Sequence, residues 1–225
     1  MKTWIGCLSL AALAASSAGC IEIRRADEGG GQEHARAEPA ARGDSGGGGD
    51  SQQQAQADPK QSSGRSRYQP DERGAKVHPL PARYRPLTRI VGKAAFPFQS
   101  RTSISTIGDA CYTPDLDGWL KKHPPGTPIF EATILHEQVH AKRQIAAGVD
   151  DWVDRYLHDR AFMWAEEQRG WYVQLTQLKR RGLRLDTAAV GRNLAKYSNL
   201  GGKMVDAATG QAWADDVLRG RWQPE

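Results

Sequence analysis

Two histidines four residues apart, with a glutamate directly after the first, constrain this chain more than anything else in it: His136-Glu137-Gln138-Val139-His140. Side chains at i and i+4 stand on one face, a turn apart, only in a helix. This stretch therefore has to be helical if both imidazoles are to reach one ion at about 2.0–2.1 Å. Glu137 then lies about 100° round the helix axis, beside the ion, where a carboxylate can act as general base toward a water activated by the metal. That is what a catalytic zinc ion requires of a single helix. The remainder of the fold must supply the rest, because catalytic zinc normally has three protein ligands and one open position.

The flanking residues support the helix. Thr127 is a capping residue, Pro128 suits the first helical position and Glu131 places an acid in the first turns. Gly148 closes the segment, so the pattern predicts a helix over 128–147. Ile129, Ala132, Thr133, His136, Val139, His140 and Ala147 form one mostly small or apolar stripe, which turns both histidines inward.

A third ligand is expected downstream. The segment from Asp150 to Arg181 reads as one long helix, opened by an Asp150-Asp151 cap and closed by the basic run Lys179-Arg180-Arg181 before Gly182. Trp164, Glu167, Trp171, Leu175 and Leu178 recur at spacings of three and four, so Glu167 interrupts an otherwise apolar face and is the favoured ligand. Glu166 is the alternative, on a neighbouring stripe with Phe162, Gly170 and Val173. His158 and Asp159 weigh less. On a continuous helix His158 would lie about 13 Å from Glu167, too far to share one ion, and it sits among the charges of Arg155, Asp159 and Arg160.

With these residues in view, His136-Glu137-x-x-His140 followed by Glu167-Gln168-Arg169-Gly170-Trp171 resembles the gluzincin group of zinc metallopeptidases. The resemblance covers two helices and is specific only in its first half. It implies zinc held by His136, His140 and Glu167, with Glu137 as the general base for hydrolysis of a peptide or protein substrate. It also implies an edge strand above the metal. The longer metzincin pattern does not follow His140, and the second acidic cluster of the large thermolysin-like enzymes is not found. The fold class expected is α+β, mainly α: a minimal zincin-like domain with a small N-terminal β element and about five helices, preceded by a disordered linker. Tyr197, Tyr156 and His158 are candidate donors to a developing oxyanion. The alternative is a non-catalytic envelope lipoprotein or binding module that keeps this helix for structure.

The N-terminus reads as an export signal over residues 1–19: Lys2, then the apolar run from Trp4 to Ala15, then Ser17-Ala18-Gly19-Cys20. The ending resembles a bacterial lipobox in which Cys20 carries the lipid anchor to a membrane. Simple secretion into the periplasm or medium is the alternative. No stretch approaches the roughly 20 apolar residues that span a bilayer. Residues 20–76 are expected to be a disordered tether on the order of 40 Å end to end. Between Arg24 and Lys76 the one large apolar side chain is Tyr68, among runs of Gly and Gln. The catalytic domain is then placed at 77–225.

Within it, Leu87 to Ile107 has β-branched, alternating character suited to two or three short strands. Helices are expected over 114–122, 128–147, 151–181, 187–198 and 207–219. The chain's net charge of +5 does not signal nucleic acid, because residues 91–225 carry 18 basic and 16 acidic side chains. The cluster Lys179 to Arg184 suits a helix C-terminus better than a phosphate-binding patch. Cys111 is left without a partner once Cys7 departs and Cys20 is lipidated or removed, and burial is its expected state. Trp152, Trp164 and Trp171 are expected in the core.

Overall fold

The computed structural model describes residues 65–97 and 99–225, with the short strand Ile23–Arg24. The expected signal over 1–19, the lipid anchor at Cys20 and the tether residues 21–22 and 25–64 lie outside the described residues. The elements run β1 (Ile23–Arg24), β2 (Val77–Pro79), a 3-10 turn (Ala82–Tyr84), β3 (Arg89–Gly92), β4 (Ser105–Ile107), β5 (Ala110–Thr113), α1 (Leu116–Lys122), α2 (Pro128–Ala147) and α3 (Val149–His158). After these come α4 (Arg160–Arg180), β6 (Arg184–Leu185), α5 (Thr187–Leu194), β7 (Ser198–Asn199), β8 (Gly202–Lys203) and α6 (Ala207–Leu218). The architecture is mixed α+β and mainly helical, with six helices among the described residues and one four-stranded sheet. None of these helices is long and apolar enough to cross a membrane.

The sheet has the order β2-β3-β5-β4, with β3 and β5 parallel and the other neighbours antiparallel. β4 is therefore an edge strand. The turn between β4 and β5 brings Thr106 opposite Cys111. β5 was not expected from the sequence, where helices were read from Thr113 onward and the preceding residues left unassigned. One face of the sheet closes a core of Leu87, Ile90, Ile104, Trp119, Phe130 and Ile134 against α1 and α2. A larger core joins α3, α4, α5 and α6 around Trp152, Met163, Trp171, Leu194 and Trp213. Of the three tryptophans expected inside, Trp152 and Trp171 are buried and Trp164 packs against that core half-buried.

α2 begins and ends as the sequence predicts. The Thr127 hydroxyl accepts from the Phe130 N–H, and Gly148 ends the helix at φ +88°, a conformation that disfavours side chains. The single helix expected from Asp150 to Arg181 is in fact two. Asp159 takes an extended conformation (φ −105°, ψ 105°) and its carboxylate accepts the Phe162 N–H, capping α4. An Asp is worth more as a cap than inside a helix, where its side chain competes with the backbone. The helix expected to reach Ser198 stops at Leu194, because Ser198 and Asn199 pair with Lys203 and Gly202.

The folded body also starts earlier than the expected boundary at 77. Ser66, Arg67 and Tyr68 hydrogen-bond to Asp150 and Asp154 at the start of α3. Glu72 accepts from Arg89 at 2.9 and 3.0 Å and from the Tyr112 hydroxyl at 2.6 Å. These polar contacts tie down a segment whose lack of apolar side chains reads as a linker.

Candidate metal centre

α2 and α4 pack against each other, and their facing sides bring the expected ligands together. His136, His140 and Glu167 are only 2%, 5% and 1% exposed, and their ligand atoms all lie within 4.8 Å of one another. His136 Nε2 and His140 Nε2 are 3.0 Å apart. Glu167 Oε2 lies 3.6 Å from the first and Glu167 Oε1 3.5 Å from the second. Ligands around zinc at about 2.0–2.1 Å and tetrahedral angles stand roughly 3.4 Å apart. The donor spacing and the two-nitrogen, one-oxygen set therefore fit a zinc ion. Among the described residues Glu167 Oε2 is buried without a hydrogen-bond partner, a costly state for a carboxylate oxygen unless a cation meets it.

The surroundings orient these donors. His136 Nδ1 faces Gln174 Oε1 at 3.0 Å. An amide oxygen only accepts, so Nδ1 carries the proton and Nε2 turns its lone pair toward the centre. The Tyr156 hydroxyl donates to Glu167 Oε1 at 2.6 Å. Trp171 packs edge-on to His136 at 5.7 Å, and Trp152 lies against His140 at 5.7 Å. Gly170 gives α4 room to approach, since a Cβ there would fall 2.6 Å from His136 Nε2.

Burial, with the neighbouring His140, pushes the pKa of His136 down to about 4, so this ring is neutral near pH 7. Burial would also lower His140, but the hydrogen bond and charge of Glu167 lift it above the ordinary histidine value. The same contact, acting against burial, holds Glu167 below the ordinary carboxylate range. Two ring nitrogens 3.0 Å apart can share only one proton, and a metal ion bound there would replace it.

Glu137 is 2% exposed on the same helix. Its Oε2 accepts from Thr106 Oγ1 at 2.8 Å, so edge strand β4 lies against the expected general base. Burial raises Glu137 to about 7, against the lowering effects of His140 and Thr106. A carboxylate at that pKa can take up and release a proton near neutral pH. One turn beyond His140, the Gln144 amide donates to the Thr106 carbonyl at 2.9 Å and accepts the Gly108 N–H at 2.8 Å. It thus satisfies one backbone group of β4, the Thr106 carbonyl, and one of the turn that follows it, the Gly108 N–H.

Glu166, the alternative ligand, is turned away into a different pairing. It is buried and accepts from Arg143 Nη2 at 2.7 Å, with Arg169 Nη1 at 3.4 Å. Arg143 on α2 thus engages Glu166 and leaves Glu167 to the centre, the choice that the apolar stripe around Glu167 favours. His158 is exposed and its Nδ1 meets the Asp154 carbonyl at 2.8 Å, so it stands apart from the centre. Tyr156, named as an oxyanion donor, instead supports the carboxylate ligand. Gln174 and Thr106 were missed by the sequence reading. The spacing of Gln174 from Glu167, seven residues on one helix, was a usable signal, whereas Thr106 required the topology. Cys111 is a buried free thiol beside Thr106.

Comparison with protein-family models, curated proteins and solved structures returns no match, so the reading of this centre rests on its own geometry.

Proposed function

We propose that this chain is a zinc-dependent metallopeptidase that hydrolyses peptide bonds in the bacterial cell envelope. The observation that carries the reading is the meeting of His136, His140 and Glu167 in one buried group, with Glu137 next to them on α2. Zinc, when bound, supplies a Lewis acid that polarises a carbonyl and makes a water acidic near pH 7. Beside that ion, the Glu137 carboxylate would hold the proton released as water adds to the scissile carbonyl and would pass it to the amine nitrogen as the C–N bond breaks. Thr106 Oγ1 steadies the carboxylate by holding Oε2. The envelope location rests on the residues before the described body, with Cys20 as lipid anchor and the low-complexity stretch as tether. Protein, short peptide and cell-wall peptide are all consistent with this site.

The burial of the ligands and of Glu137 favours one second reading, a metal held for structure in a non-catalytic protein. The two separate in one experiment on the purified full chain: zinc content by elemental analysis, and cleavage of an unfolded protein such as casein. For the enzyme, Glu137→Gln retains zinc and loses at least a hundredfold in turnover, as expected for removal of a general base, while His140→Ala loses the metal. Cleavage that survives Glu137→Gln unchanged would remove the proposed mechanism. A wild type that takes up no zinc would remove the metallopeptidase altogether.

A further inference from the structure

The three ligands are not supported alike. Glu167 is held at Oε1 by the Tyr156 hydroxyl at 2.6 Å. His136 is held at Nδ1 by Gln174 at 3.0 Å. His140 Nδ1 has no hydrogen-bond partner among the described residues and is enclosed instead by the rings of Trp152 and Tyr156. Both supporting side chains are themselves fixed. Tyr156 stacks on Trp152 with ring centroids 4.9 Å apart, and its carbonyl accepts from Asn199 Nδ2 at 2.9 Å. Gln174 is 3% exposed and lies on the same face of α4 as Glu167.

We infer that Tyr156 and Gln174 are positioning residues of the metal centre, the first fixing the Glu167 carboxylate and the second the His136 ring for a divalent cation of zinc's size. The inference rests on the metal-binding part of the proposed function and needs no catalysis. A hydrogen bond from outside to a ligand fixes its orientation and, for an imidazole, raises its basicity. Loss of such a partner typically costs 10–100-fold in metal affinity. Tyr156 leaves Glu167 Oε2 as the carboxylate oxygen without a hydrogen-bond partner among the described residues, facing His136 Nε2 at 3.6 Å. Without the phenol, the carboxylate is free to rotate away from the imidazoles.

The test is zinc affinity of the full chain, measured by competition against a chromophoric chelator for wild type, Tyr156→Phe and Gln174→Leu. Tyr112→Phe is the control, since Tyr112 also donates to a carboxylate at 2.6 Å, but to Glu72, which is not a ligand. Tyr156→Phe and Gln174→Leu are each expected to raise the Kd for zinc roughly 10–100-fold, with the control unchanged. The visible band of cobalt-loaded protein, which reports ligand arrangement, is expected to change in Tyr156→Phe and not in the control. Melting of the zinc-free proteins separates folding from binding, and if one variant fails to fold the other decides. Wild type that binds zinc, with both variants within twofold of it, overturns the inference and leaves the metal centre standing. Wild type that binds none overturns the centre itself.

Discussion

Gly170 has no room for a side chain. A Cβ at this position would lie 2.6 Å from His136 Nε2 and 2.7 Å from Cδ2, closer than a methyl carbon can approach a ring atom. The ring cannot retreat, because Gln174 and Trp171 hold it. Gly170→Ala therefore pushes α4 away from α2 or turns His136 off the centre. Either movement is an overpacking cost of about 1–3 kcal/mol. The expected outcome is a lower unfolding free energy in urea and loss of zinc from purified protein, in contrast to Glu137→Gln, which keeps both. At this scale the sequence was informative where chemistry is local: His136, His140 and Glu167 were identifiable from spacing and from a charge set in an apolar stripe. It was silent on Thr106, which reaches Glu137 from a strand 31 positions earlier.

The helices carry a second lesson. The sequence from Asp150 to Arg181 reads as one helix, yet the chain breaks at Asp159 and caps α4 there. Periodicity does not reveal such a break, since α3 and α4 both bury apolar faces in the same core. What reveals it is the chemistry of Asp159 itself, read as a cap. Asp159→Ala removes the acceptor for the Phe162 N–H and is expected to lower stability by about 1 kcal/mol, measured by urea denaturation. Zinc affinity should fall as well, because the break sets the direction of α3 and hence the reach of Tyr156 to Glu167. α2 was legible to the residue at both ends because Thr127, Pro128 and Gly148 are all local signals. β5 was not, because a strand that pairs with β3 in parallel and β4 in antiparallel owes its existence to neighbours.

Across the whole molecule, the segment before β2 is bound by polar contacts together with Tyr68 and Ala75, which pack half-buried against the cores. Glu72 joins it to β3 through Arg89 and to β5 through Tyr112. Its hydrogen bonds with Arg89 lower its pKa from 4.5 to about 2, against the raising effect of burial and with further lowering by Tyr112. A carboxyl lowered on folding contributes fully above its unfolded value and loses that contribution as pH falls. Stability should therefore decline between about pH 4.5 and about pH 2, and Glu72→Gln should make that decline shallower while lowering stability at pH 7. Chemical denaturation at several pH values checks both, and equal slopes in the two proteins would contradict the assignment. Composition alone reads this segment as linker, because its polar anchors and its one large apolar side chain, Tyr68, leave no repeating apolar pattern to detect.

The Gln144 amide stands where a neighbouring strand's peptide group would otherwise sit, holding the Thr106 carbonyl of β4 and the Gly108 N–H of the turn beyond it. An extended guest laid along that border must first evict this surrogate and gains only what exceeds the two bonds it breaks. The sheet is thereby guarded against casual lengthening by other chains, and any ligand that does lodge there is selected for reach beyond Thr106 and Gly108.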